Sequence, residues 1–201
     1  MKVIGITGGI ASGSSLVAGM FRDLGAVIIE ADKVAREAVQ PGTGVYKKIV
    51  EAFGKDVLLP DGSLDRRRLG AIVFKDPAAR RRLNVMTHPE IRRRIQSQVE
   101  QAAAEQPDAV VIVDIPLLLD TTGPEAFDLD GVIVVAATPE QQIERLMARD
   151  NLTREEAGHR LAAQRPVAEK AAEADWVIDN TGTIEETRRQ VGILWSEIAT
   201  A

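Results

Sequence analysis

Short apolar runs alternate with stretches of helical spacing along most of the chain. Residues 2–7, KVIGIT, are apolar and β-branched and end at Gly8, the pattern of a buried strand. Over 14–24, Leu16, Val17, Met20, Phe21 and Leu24 recur on one helical stripe that Gly25 closes. Residues 26–30, AVIIE, predict a second strand, followed by a helix from about Asp32 to Val39 that stops before Pro41-Gly42. Continuous apolar runs return at 109–114 and 131–137, as expected of parallel strands covered on both faces. Thr138-Pro139-Glu140 signals the start of a helix reaching about Arg149, and Thr153 with Glu156 is spaced as a capping box. Residues 175–179, DWVID, predict a fifth strand. Thr183 and Glu186 repeat the capping-box spacing, and Ile184, Thr187, Val191, Leu194 and Ile198 line one face of a terminal helix. Trp176 and Trp195 are expected in the core. The alternation predicts an α/β fold with a five-stranded parallel sheet and helices on both faces.

Residues 43–106 break the pattern. They hold no convincing strand, and Pro60-Asp61-Gly62, Pro77 and Pro89 divide them into short helical segments. Asp76-Pro77 and His88-Pro89 read as helix starts, where the missing proline N–H costs nothing. The 201 residues therefore suggest a single domain over 1–201 with a helical insertion at 43–106. Charge singles out the same region. From Arg66 to Arg94 ten basic residues face two acidic ones, a net of +8 in a chain whose total is −5. One basic segment in an acidic protein suggests a local anion site. Overall acidity and 3% aromatic residues weigh against RNA recognition by stacking. No apolar run approaches the ~18 residues needed to span a bilayer, and the opening one is too short for a signal peptide. The chain has no cysteine, which excludes disulfides, thiolate zinc sites and a cysteine nucleophile, and fits a cytoplasmic location.

The first strand runs into Gly8-Gly9-Ile10-Ala11-Ser12-Gly13-Ser14-Ser15. This is the phosphate-loop spacing G-x-x-x-x-G-K-[ST] between a strand and a helix, with serine at position 14 in place of lysine. Inward-turned N–H groups and a helix N-terminus still make an anion cradle, and Ser15 can ligate magnesium. Asp32 follows the second strand, where a carboxylate can accept a substrate hydroxyl proton or simply cap the next helix. Asp114 ends the third strand and can hold magnesium through water. Arg145 and Arg149 are four apart and share a helix face, a spacing suited to clamping transferring phosphates. Arg154, Arg160 and Arg165 follow in a polar stretch composed like a lid. His88 lies inside the basic insertion, as a structural residue or a substrate contact.

These motifs together resemble the dephospho-coenzyme A kinase family, from about Val3 to Ile198. The resemblance rests on TGGIASGSS (7–15), EAD (30–32), VQPG (39–42), GSLDRRRL (62–69), HPEI (88–91), DIPLLLD (114–120), RLMARDNLTREEA (145–157), AAQ (162–164) and ADWVIDNTG (174–182). It implies a P-loop kinase fold with a substrate-binding insertion at 43–106 and a short helical lid at 145–170. It implies ATP-dependent phosphorylation of the ribose 3′-hydroxyl of dephospho-coenzyme A, with ATP and Mg2+ as cofactors, in a monomer or weak homo-oligomer with no nucleic-acid or membrane partner. Carried onto this chain, Gly8, Gly9, Ile10, Ala11, Ser12, Gly13, Ser14, Ser15, Leu16 and Arg149 would hold ATP, with Asn180 and Gly182 near the adenine. Asp32 and Arg145 would be catalytic. Arg67, His88, Pro116 and Leu117 would bind substrate, and Ser15 and Asp114 would hold the metal. Three positions depart from the family pattern: Ser14 for lysine, Glu30 for aspartate and Asp120 for glutamate. Ser14 leaves two readings, a kinase of reduced turnover or a non-catalytic nucleotide or coenzyme A binding protein.

Overall fold

The computed structural model describes residues 1–200, apart from the side chains of Thr121, Thr122 and Thr200. In chain order its elements are β1 (Lys2–Gly8), α1 (Ser14–Asp23), β2 (Val27–Glu30), α2 (Ala31–Ala38), α3 (Gly44–Phe53), α4 (Arg66–Lys75), α5 (Pro77–Glu105) and β3 (Val110–Asp114). There follow β4 (Gly131–Ala136), α6 (Pro139–Asp150), α7 (Arg154–Ala162), α8 (Val167–Ala171), β5 (Trp176–Asp179) and α9 (Ile184–Thr200). They form two compact units, residues 1–30 with 99–201, and residues 31–98.

The first unit is a five-stranded, all-parallel sheet in the order β2-β3-β1-β4-β5. Ile4, Ile6, Ile112, Ile133 and Val135 share a core cluster with Val17, Ala18, Met20 and Phe21 of α1 and with Val191, Leu194 and Ile198 of α9. The alternate strand positions Val3, Val111, Val113, Val132 and Val134 are buried too. Burial on both sides is why these strands read as unbroken apolar runs. Trp176 and Trp195 pack at the margin of the cluster, the latter against Phe21. Three positions expected on buried stripes are exposed: Leu16, Leu24 and Ile184. Each lies at or near a helix end, where the stripe has run past the sheet. Among the described residues no helix is long and apolar enough to cross a membrane.

The second unit packs α2, α3, α4 and the first three-quarters of α5 around Val45, Ile49, Val57, Leu64 and Leu69. Its one extended feature, a bridge between Leu58 and Leu64, is tied to α3 by the Tyr46 hydroxyl donating to the Gly62 carbonyl at 2.6 Å. Pro77 does open a helix, as expected. Pro89 does not: it lies inside α5, a single helix of 29 residues. The reading of short segments fails because one lost N–H costs less than ending a helix whose remaining residues are mostly good helix formers. Next to the gap, the Thr87 hydroxyl donates to the Leu83 carbonyl at 3.0 Å.

Candidate active site

In a parallel sheet of this kind, ligands collect at the carboxyl ends of the strands. Two neighbouring strands come to their carboxyl ends here: Asp114, the last residue of β3, is in register with Ile6 of β1, two residues before that strand ends. Beyond β1 the chain makes the loop Gly8–Gly13 before entering α1. Gly13 sits at φ 101°, a left-handed conformation that side chains disfavour. At Gly8 a Cβ would come within 2.7 Å of the Val135 carbonyl oxygen, so only hydrogen fits there. The loop thus depends on glycine at the two ends of the spacing recognised in the sequence.

No side chain caps α1, and its first turn holds no acidic residue. The opening amides of a helix have no intrahelical acceptor, and they carry the positive end of its dipole. They face a cavity of about 330 Å³ lined by Gly9, Ala11, Ser12, Gly13, Ser14, Ser15, Arg145 and Arg149. The Ser12 hydroxyl is buried there without a hydrogen-bond partner among the described residues. Unsatisfied donors, a helix N-terminus and two guanidinium groups suit a polyanion of phosphate character.

Each cation is held differently. Arg145 donates to the carbonyls of Ser12 at 3.3 Å and Asn180 at 3.0 Å, so it is fixed by backbone and keeps its charge uncompensated. Arg149 is paired with Asp150 at 2.8 Å, and Asp150 also accepts from Arg160 at 2.9 Å. The hydrogen bond between Arg149 and Asp150 raises the arginine's pKa and lowers the aspartate's. Ser15 is exposed beside the loop, and its hydroxyl donates to Asp114 Oδ2 at 3.1 Å. Among the described residues there is no group of three or more histidine or acidic side chains that could enclose a metal. Magnesium does not need one, because it is commonly held by one or two protein oxygens, phosphates and water. Ser15 and Asp114 fit that donor set.

The remaining expected residues fall as follows. The Asn180 side chain is buried and donates to the Ser12 carbonyl at 2.7 Å, so it supports the loop from behind. Leu16, Leu117 and Gly182 are exposed, and the Pro116 carbonyl accepts from the Thr7 hydroxyl at 3.2 Å. Asp32, Arg67 and His88 belong to the second unit. Asp32 is exposed in the first turn of α2, and that helix begins at Ala31, so Asp32 is not its N-cap. Arg67 is exposed on α4, and His88 is half-buried on α5. Burial, and secondarily Arg92, lowers the pKa of His88. The sequence reading missed three residues that grip the loop: Gln142, Gln164 and Lys170. Gln142 donates to the Ile10 carbonyl at 2.7 Å, Gln164 accepts from the Ile10 N–H at 2.7 Å, and the Lys170 ammonium donates to the Gly8 carbonyl at 3.1 Å.

The family described as dephospho-CoA kinase matches residues 2–186. A dephospho-CoA kinase of Geobacter metallireducens is 51% identical over 197 residues, covering 98% of this chain and 96% of that one. Among solved structures, TT1252 from Thermus thermophilus is 35% identical with a TM-score of 0.84, over 98% of this chain and 97% of that one. Dephospho-CoA kinase from Campylobacter jejuni is 32% identical with a TM-score of 0.74, over 100% and 98%.

Proposed function

The chain belongs to the dephospho-CoA kinase family, and from that membership we propose that it transfers the γ-phosphoryl group of ATP to the ribose 3′-hydroxyl of dephospho-CoA. The observation that carries the reading is the uncapped start of α1 facing a cavity with Arg145 and Arg149 in its wall. Loop amides and the helix N-terminus hold the β- and γ-phosphates. Arg145 and Arg149 stabilise the charge that shifts toward the leaving oxygen. As the 3′-oxygen bonds to the γ-phosphorus, the bond from that phosphorus to the β–γ bridging oxygen breaks. The hydroxyl proton passes to the Asp32 carboxylate, and ADP departs with the electron pair. Ser15 and Asp114 would hold Mg2+, which neutralises phosphate charge when bound. Arg67, His88, Pro116 and Leu117 would contact dephospho-CoA, with the helical unit as the substrate-binding part.

The comparisons favour this catalytic reading over the non-catalytic one that Ser14 raises. The test is a coupled assay of ADP release with ATP, Mg2+ and dephospho-CoA, together with direct detection of CoA. Turnover is expected in the parent. Asp32→Asn is expected to lose ~100- to 10,000-fold in kcat while ATP still binds. A parent that binds both substrates and never forms CoA would overturn the kinase reading. An Asp32→Asn variant of near-parental rate would remove Asp32 from the mechanism.

A further inference from the structure

Lys170 is a fully buried lysine on a short helix, and its ammonium has two partners. Asp120 Oδ2 lies 2.5 Å away, and the Gly8 carbonyl oxygen lies 3.1 Å away. Withdrawing an ammonium from water costs several kcal/mol even when it is paired, and an apolar side chain of the same volume would fill such a site more favourably. Packing therefore does not account for a lysine here. What the charge contacts is more informative. Gly8 is the last residue of β1 and the first of the phosphate loop.

The Gly8 carbonyl and the Gly9 N–H belong to one planar trans peptide unit. A cation that fixes the carbonyl therefore also fixes the amide on the unit's opposite side, and Gly9 lines the anion cavity. The carboxylate partner is itself anchored. Asp120 Oδ1 accepts the backbone N–H of Arg165 at 2.9 Å, and the Arg165 guanidinium donates to the Leu119 carbonyl at 2.9 Å. The neighbouring residue, Gln164, holds the Ile10 N–H. One segment, 164–170, thus sets the loop backbone at two points, residues 8 and 10. The loop lacks a lysine of its own, because position 14 is serine.

We propose that Lys170, held by Asp120, is a positioning residue that aims the backbone amides of the phosphate loop at the nucleotide. This rests on the loop being the ATP site. Lys170 does not touch the phosphates. It acts through the Gly8–Gly9 peptide, so its removal lowers nucleotide affinity while leaving recognition of the second substrate alone.

The experiment uses the full chain and three variants: Lys170→Met, Lys170→Arg, and the pair Lys170→Met with Asp120→Asn. The pair leaves no unmatched buried charge and keeps an acceptor for the Arg165 N–H. Thermal stability, the Kd for ATP by calorimetry and the KM for each substrate are measured on each. The pair is expected to unfold near the parental Tm yet bind ATP about tenfold more weakly, the scale of one charge-assisted hydrogen bond. Its KM for dephospho-CoA should stay within about twofold of the parent's, and Lys170→Arg should recover most of the ATP affinity. A stable pair with parental ATP affinity would overturn the proposal. So would equal losses for both substrates that follow Tm, since that is how a purely structural residue behaves. A parent that does not bind ATP would overturn the assignment of the loop itself, and this inference with it.

Discussion

At position 14 the chemistry turns on a single ammonium. The loop amides, the helix start and two arginines remain, so ATP binding is expected to survive, but the lysine that usually meets charge developing on the transferred group is missing. A charge-assisted hydrogen bond is worth ~1.5–3 kcal/mol, and each ~1.4 kcal/mol is tenfold in rate. Ser14→Lys is therefore expected to raise kcat/KM roughly 10- to 200-fold, mostly in kcat. The new side chain has room, because Ser14 lines the cavity. Measuring kcat and the KM for ATP in both proteins checks this, and an unchanged kcat would mean another cation already fills the role. His88 carries a different prediction. Its pKa lies below the ordinary 6.5 because burial disfavours the charged ring. The unfolded chain then takes up a proton near 6.5 that the folded chain refuses, so stability falls as pH drops from there toward the folded value. Chemical denaturation at pH 7 and pH 5 should show a smaller loss in His88→Gln than in the parent. An identical loss would place the acid sensitivity elsewhere. The glycine spacing and the Arg145–Arg149 pair were legible in the sequence because each is set within one loop or one helix face. Lys170 was not. In VAEKAAE it reads as a solvated lysine between glutamates, and only the fold removes it from water.

Elements were legible to the extent that their signals are local. The capping boxes at Thr153–Glu156 and Thr183–Glu186 form as spaced, and at Thr138 the box closes on Gln141. Each cap is decided within four residues, whereas helix continuity is decided by what packs along the whole element. Pro89 shows the difference. As a dipeptide, His88-Pro89 marks a helix start, yet α5 runs through it. An interior proline removes the N–H that would bond four residues back and crowds that carbonyl, costing ~3 kcal/mol in an undistorted helix. The residue four before it, Val85, is largely exposed, so solvent can satisfy the freed carbonyl. Pro89→Ala is expected to stabilise the protein by ~1–3 kcal/mol, a Tm rise of about 2–4 °C per kcal/mol for a chain of this size. If Pro89 also sets the orientation of His88, the KM for dephospho-CoA rises in the same variant while that for ATP does not. A Tm that falls would show instead that the native backbone at Pro89 is one that alanine fits less well.

Across the whole molecule, charge is divided more sharply than mass. The segment from Arg66 to Arg94 carries +8 and the rest of the chain is acidic. The sequence alone did not say which arginine of each triplet is available to a ligand, because three consecutive residues cover most of a helix turn. Structural partners now separate them. Arg82 lies over the Phe53 ring at 4.8 Å and donates to the Ala52 carbonyl. Arg68 donates to the Asp56 carbonyl at 2.6 Å, and Arg93 and Arg94 share Glu90, whose carboxyl is pushed down to about 2 by their hydrogen bonds. The side chains of Arg67, Arg80 and Arg81 have no hydrogen-bond or ion-pair partner among the described residues, and all three are exposed. If this segment recognises the diphosphate of dephospho-CoA, the exposed arginines without a partner carry the contact and the engaged ones carry the fold. A unit charge pair at 4 Å in water is worth about 1 kcal/mol, and reversing one partner changes the interaction by about twice that. Arg67→Glu and Arg81→Glu are therefore expected to raise the KM for dephospho-CoA roughly three- to thirtyfold, with the KM for ATP and the Tm near parental. Arg82→Glu should lower Tm, because it loses both the ring and the carbonyl. The parent's KM for dephospho-CoA should climb with ionic strength, as screening of exposed charges requires, and the variants' should climb less. If the reversals moved only the KM for ATP, or the salt dependence were the same in all four proteins, the positive segment would serve something other than the substrate's diphosphate.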